Sequence, residues 1–375
     1  MSKENGSAVS AVGLSVGAGS RHGAGGEALL LKHLAFKGTA AQSDIAQCRA
    51  IEAAGLSVGA DAGREAVLYK ASGPAGSGAA ALEVVAEAAT SPKLTGWHLE
   101  EVVKESVSVE LGLAAKDAQS LLVETLHAAA FGEASPLGRT IYAANPAAFL
   151  GGLGAHHAGL FVPSNMAVLG AGVAHGDLVA QAEALFVGGA AGGAAPVAVA
   201  SPYVGGCSGL KAASPLTHVA VALPGASTGA PDYFTALVAQ ELLSGSSGEA
   251  MQAFSLSYAD AGLFGLYGCS DPAGAGALAE AMVGALTGAF SEDQVAAAKL
   301  AVKTRLLVGA ADSAALVASL AGVGAAAKPA GAVDAVTGPA VKAFLAKAAK
   351  GAAPTLATVG PAAAVPDYAT FAKMF

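Results

Sequence analysis

Aromatic residues make up only 5% of this chain and charged residues only 13%. Its apolar content, 54% by the AVILMFWYC count, is therefore weighted towards alanine. The mean hydropathy of +0.54 accordingly overstates affinity for a membrane. Long apolar runs are missing as well. The most continuous one, 314–327, is broken by Ser319 and two glycines, whereas a bilayer span needs roughly 20 apolar residues. The chain reads as soluble or peripheral to a membrane. No basic cluster stands out, and 20 Lys and Arg against 28 Asp and Glu leave a net charge of −8, so nucleic acid is not an expected partner. Cysteine is scarce: Cys48, Cys207 and Cys269 form no C-x-x-C pair. That argues against a disulfide framework and a cysteine-based zinc site, and fits a reducing compartment. Residues 1–7 lack the Arg-rich amphipathic pattern of a transit peptide.

The most informative stretch runs from Gly26 to Thr39. Leu29, Leu30, His33, Leu34 and Lys37 fall at helical spacing, and Gly38 stands where a C-terminal stop belongs. In the inverted zinc-peptidase pattern H-x-x-E-H, two histidines four apart on one helix face hold zinc, and the adjacent glutamate activates water. Here the register reads Leu29-Leu30-Leu31-Lys32-His33. The second histidine is present, but leucine stands at the first ligand and lysine at the base. Leucine has no lone pair to give, and a lysine ammonium is a donor only. These residues alone describe a packing helix with one histidine.

The rest of the first half reads as α+β. Strands are expected at Ser10–Gly17, Leu56–Asp61, Glu65–Ser72 and Asn165–Gly170. Helices are expected from Thr39 or Ser43 to about Ala54, and over Gly76–Thr90, Gly96–Ala115, Asp117–Phe131 and His175–Phe186. A further helix opens at Asn145-Pro146 and runs towards His156. Positions 187–200 are almost wholly Gly, Ala, Pro and Val and read as a linker between domains 1–186 and 201–375. The second half repeats the first: Leu68-Tyr69, Ser72, Pro74, Gly76 and Gly78 recur at one constant offset as Leu266-Tyr267, Ser270, Pro272, Gly274 and Gly276. The expected fold is two homologous α+β domains, each a mainly antiparallel sheet packed with helices.

Several local features have plain readings. His156-His157 are adjacent and so point apart on a helix, which disfavours shared metal binding. His98 beside Trp97, the sole Trp, reads as a packed helix residue. Glu100, Glu101 and Glu105 read as a solvated acidic face, and Gly73–Gly78 as a turn that lacks the Walker spacing.

His33-Leu-Ala-Phe-Lys-Gly-Thr39, Leu126-His-Ala-Ala-Ala-Phe131, Pro136-Leu-Gly-Arg-Thr-Ile141 and the Tyr258–Gly265 tract occur in an order that resembles the processing-peptidase and pitrilysin superfamily of inverted zinc peptidases. The resemblance covers essentially the whole chain and implies a two-domain, inverted zinc-peptidase-like fold. It places His33 and Glu110 at ligand positions, and Leu29 and Lys32 at the lost ligand and base. It implies no catalytic residue, no bound metal and no cofactor. Active members also use an Arg and a Tyr from the second domain. Ser244–Tyr258 contains no Arg, and Tyr258 matches a related place. Among non-catalytic members, the Ser257–Tyr267 and Tyr203–Gly206 tracts look most like the core protein 2 branch of ubiquinol–cytochrome c reductase. That implies a structural subunit of respiratory complex III, peripheral on the matrix side of the mitochondrial inner membrane. Its partners would be a homologous core protein 1, cytochrome b and cytochrome c-type subunits in a dimeric complex. The alternative is the non-catalytic alpha subunit of the mitochondrial processing peptidase, which binds presequences for a catalytic beta subunit. That alpha subunit carries a long glycine-rich loop, where this chain has only Ser244–Gly248. The family also opens with an extra strand, for which the short segment before Ser10 leaves no room.

Overall fold

The computed structural model describes the chain except for positions 5, 24, 187–195, 198, 213, 247–250, 289, 324–329 and 352. Most of the expected 187–200 linker and the end of the Ser244–Gly248 turn thus lie outside the described residues. The first half runs β1 (Ser2–Lys3), β2 (Val9–Val16), α1 (Glu27–Leu34), α2 (Asp44–Ala53), β3 (Ser57–Ala62), β4 (Val67–Pro74), α3 (Gly78–Thr90), α4 (Gly96–Val102), α5 (Ser108–Ala114), α6 (Ala118–Phe131), α7 (Leu153–Leu160), β5 (Met166–Ala171) and α8 (His175–Phe186). The second half runs β6 (Gly206–Leu210), β7 (Thr217–Pro224), α9 (Tyr233–Ser246), β8 (Met251–Ser257), β9 (Gly262–Ser270), α10 (Ala275–Thr287), α11 (Glu292–Ala311), α12 (Ser313–Val323), α13 (Gly338–Gly351), β10 (Thr355–Val359) and α14 (Tyr368–Phe371).

The two halves build the same sheet twice. The strand orders are β1-β5-β2-β4-β3 and β6-β10-β7-β9-β8. In each, one edge pair is parallel and the others are antiparallel. The expected mixed fold with a mainly antiparallel sheet in each domain is what forms.

The strand for which no room was expected is present. Ser2 and Lys3 pair with Gly170 and Ala171. The N-terminal ammonium of Met1 donates to Val168 O at 2.6 Å, and Gly170 N donates to Met1 O at 2.8 Å. Two residues suffice for a parallel edge strand when the backbone is tied at both ends.

Two compact units emerge from the contacts. One contains Met1–Leu111, Thr140–Val199 and Val308–Ala327; the other contains Gly112–Arg139, Ala200–Leu307 and Lys328–Phe375. Chain order alone does not give this division, because each half lends a helix to the other unit. In the first unit, Leu14, Val16, Leu30, Tyr69 and Leu82 fill the core on one sheet face, and Leu316, Val317 and Leu320 of α12 cover Ala11, Leu68 and Leu169 on the other. Close approach of α12 needs Gly13: a Cβ there would stand 2.5 Å from Val317 Cγ1. In the second unit, α9, α10 and α13 cover the Val219, Val221, Phe264 and Leu266 face, and α6 covers Ala220, Ala222, Leu263 and Ala357. Both faces of each sheet are therefore buried, and a strand buried on both faces reads as a run of small and apolar residues.

Helix starts follow local chemistry. Ser43 Oγ accepts from Ala46 N at 3.3 Å and caps α2, while Thr39 Oγ1 accepts from Gln42 N at 3.0 Å in the turn before it. The Asp117 carboxylate accepts from Gln119 and Ser120 N and opens α6. Two helices depart from expectation. Pro146–Gly152 is a 3-10 helix that leads into α7, with no side-chain cap from Asn145. Between α4 and α5, Val103–Val107 forms a π-turn, a widening that rephases the residues after it and that no sequence period reveals.

Candidate functional site

Lys32, His33 and Glu110 meet in the first unit. Helix α1 supplies Lys32 and His33, with Leu29 one turn before His33. Its apolar positions Leu29, Leu30, Leu31 and Leu34 are buried, and Leu29 is only 1% exposed. Lys32 and His33 take the half-buried face. Glu110 lies on α5, just past the π-turn, and Lys37 Nζ donates to Ser106 Oγ of the π-turn at 2.9 Å.

The Lys32 ammonium donates to both oxygens of the Glu110 carboxylate, at 2.7 Å each. His33 Nε2 donates to Glu110 Oε2 at 2.6 Å. A carboxylate only accepts, so in the neutral ring the proton sits on Nε2, and that lone pair is not offered to a metal. Burial pushes the His33 pKa below the ordinary histidine value, against the pull of the Glu110 charge and hydrogen bond; Lys32 and Lys37 add to the lowering. Zinc does not fit this set. Leu29 has nothing to donate, the ammonium faces the one carboxylate, and the histidine nitrogen is spent on the same oxygen. Among the described residues, no group of three or more His, Cys, Asp and Glu is placed to hold a metal ion.

Tyr258 lies in the second unit, where its hydroxyl meets His127 Nε2 at 2.6 Å. His127 is fully buried, and its Nδ1 lies 2.7 Å from Val123 O. A carbonyl can only accept, so Nδ1 carries the proton and Tyr258 donates to Nε2. Nothing in the sequence spacing predicts this pair, because α6 and the β8–β9 turn are brought together only by tertiary packing. Tyr203 is similarly tied, its hydroxyl 2.7 Å from Thr355 Oγ1 and 3.0 Å from Ala353 O, and burial pushes its pKa up to about 12.

His98 is buried. His157 donates from Nε2 to Ala89 O at 2.8 Å and stacks on Phe161 at 4.2 Å. Glu100, Glu101 and Glu105 are exposed, as a solvated face would be. A groove of about 440 Å³ in the second unit is lined by residues that include Asp232, Asp260, Lys347, Ser227, Tyr203 and Phe344.

Two family models match in chain order: the insulinase peptidase family M16 over residues 1–145, and the peptidase M16 inactive domain over 153–301. The chain belongs to peptidase family M16. Among curated relatives, it is 30% identical over 303 residues to the beta subunit of the mitochondrial-processing peptidase of Saccharomyces cerevisiae, covering 69% of this chain and 64% of that one. It is 26% identical over 338 residues to cytochrome b-c1 complex subunit 2 of Mus musculus, covering 82% of this chain and 73% of that one. The chain spans between about half and two thirds of the processing-peptidase subunits it matches. Among solved structures, a chain of complex III2 from Candida albicans, solved with Inz-5 bound, superposes with a TM-score of 0.82 at 19% identity, covering 100% of this chain and 96% of that one. That similarity extends the shared fold over both M16-type domains. The chain is thus homologous both to a complex III core subunit and to processing-peptidase subunits. No single helix among the described residues is long and apolar enough to cross a membrane; only α11 with α12, bent by 117° at their junction, pass that test as a pair.

Proposed function

We propose that this chain is a non-catalytic core subunit of respiratory complex III, of the core protein 2 type, peripheral on the matrix side of the mitochondrial inner membrane. The observation that carries the non-catalytic part is the Lys32 ammonium on both oxygens of Glu110. A cation takes the place of the base, and the carboxylate that would ligate metal is occupied. Leu29 and Lys32 stand where an active member has its first histidine and its glutamate, so the site has neither the ligand count nor the proton acceptor for metal-assisted hydrolysis.

The complex III reading is supported by the mouse b-c1 subunit, which aligns over 82% of this chain and 73% of its own length; the bovine processing-peptidase beta subunit aligns over the same 82% of this chain and 69% of its own length. In this role the subunit supports assembly and stability of the complex and binds no cofactor. It pairs with a homologous core protein 1 or a beta-type subunit and neighbours cytochrome b and cytochrome c-type subunits within a dimeric complex. The second reading, a presequence-binding alpha subunit of the processing peptidase, is favoured by the 29% identity to a probable alpha-1 subunit of Arabidopsis thaliana. Native electrophoresis of gently solubilised mitochondrial membranes separates the two: the core reading expects this chain to migrate with cytochrome b.

A further inference from the structure

The chain's own cation fits the site that zinc does not. Two groups converge on one carboxylate through three contacts: Lys32 Nζ at 2.7 Å from each oxygen, and His33 Nε2 at 2.6 Å from Oε2. The Lys32 and Glu110 side chains are 26% and 24% exposed, so their attraction is less screened than that of a surface pair. Just past the end of α1, Lys37 reaches Ser106 of the π-turn, and Ser108 Oγ closes that turn by donating to Val103 O at 2.6 Å.

We propose that Lys32 is a tethered counter-ion: its ammonium stands where this fold would seat a divalent cation, neutralises Glu110, and clamps α1 to the π-turn and α5 without metal. A divalent cation and a lysine ammonium answer the same requirement, positive charge against a half-buried carboxylate. A covalently held charge cannot be lost to a chelator. On this account the loss of the first ligand and the gain of the lysine are one exchange: Leu29 closes the core behind the site, and Lys32 supplies the charge. The proposal rests on the non-catalytic reading, and its test can fail separately from it.

The test is zinc stoichiometry by atomic emission on gel-filtered protein, with circular dichroism to check the fold. The double substitution Leu29→His with Lys32→Glu removes the cation and returns the missing ligand beside His33 and Glu110. It is expected to retain about one zinc per chain, with three protein ligands available, while the unaltered chain retains none. Zinc bound stoichiometrically by the unaltered chain overturns both this proposal and the non-catalytic reading. A folded double variant without zinc overturns this proposal alone. Should the double variant not fold, a melting cycle decides. Lys32→Met is expected to lower the melting temperature by roughly 2–4 °C, with the loss absent in a Glu110→Gln background. An undiminished melting temperature, or the same loss in both backgrounds, overturns the proposal.

Discussion

Lys32 and Glu110 form a two-pronged ion pair, one ammonium 2.7 Å from each oxygen of one carboxylate, and it joins α1 to α5. The second unit carries an analogous tie with the charges exchanged. There Arg305 Nη1 of α11 donates to Glu241 of α9 at 2.8 Å. In each unit the helix after the long second strand is held to a later helix by a charge pair. The first-unit pair is the more shielded, since the Arg305 side chain is 51% exposed. Exposed pairs contribute about 0–1 kcal/mol, so the Lys32–Glu110 clamp is the one expected to matter for stability.

His127 and Tyr258 should be coupled. His127→Ala leaves the Tyr258 hydroxyl without its acceptor and opens a cavity in the α6 packing, a cost of about 2–4 kcal/mol. Tyr258→Phe removes only the donor and should cost about 1 kcal/mol. Chemical denaturation of the single and double variants measures both, and the double variant should cost less than the sum of the singles. Strict additivity would show the hydrogen bond to be absent in solution.

Acid should destabilise the fold before it touches the carboxylates. Burial lowers the pKa of His22, His33, His156, His157 and His218. A histidine whose folded pKa lies below its unfolded value of about 6.5 favours the folded state while neutral. Its contribution is fully present above pH 6.5 and is lost as pH falls below it, because the unfolded chain takes up the proton first. Melting temperature should therefore fall between pH 7.5 and pH 5.5. Four of these histidines lie in the first unit and only His218 in the second, so hydrogen exchange should loosen the first unit earlier on acidification.

The exchanged helices predict how the chain can be cut. A fragment of residues 1–186 lacks α12 and so exposes Ala11, Leu68, Leu169 and Ala171 on an uncovered sheet face. A fragment of residues 201–375 lacks α6 and exposes Ala220, Ala222 and Leu263. Each fragment alone should aggregate, since contiguous apolar faces of this kind are association sites. Co-expressed, the two should recover as a soluble pair, which size-exclusion chromatography would detect. Two independently soluble fragments would contradict the helix exchange.

The repeat shows what the sequence made legible and where it stopped. Strand, turn and helix recur in both halves as the spacing implies, yet the match of Leu68-Tyr69 with Leu266-Tyr267 is one residue out of structural register. Tyr69 and Leu266 face the main cores, while Leu68 packs under α12 and Tyr267 under α6. Side chains alternate faces along a strand, so a one-residue slip pairs opposite faces. Small residues on doubly buried strands blur the pattern that would have fixed the register. The α1 site was more accessible: helical spacing brought Leu29, Lys32 and His33 together, and the family resemblance supplied Glu110. That Lys32 turns onto Glu110 depends on the π-turn and on a distant helix, neither of which leaves a periodic trace. The His127–Tyr258 pair was hidden for the same reason, its partners lying on elements joined only by packing.

Blue-native electrophoresis of digitonin-solubilised mitochondrial membranes, with mass spectrometry of the band that holds this chain, tests the proposed role as a structural core subunit of complex III. Stoichiometric co-migration with cytochrome b and a cytochrome c-type subunit is the expected result. Recovery in the soluble matrix, bound only to a zinc-bearing homologue, would contradict it and leave the processing-peptidase alpha role in its place.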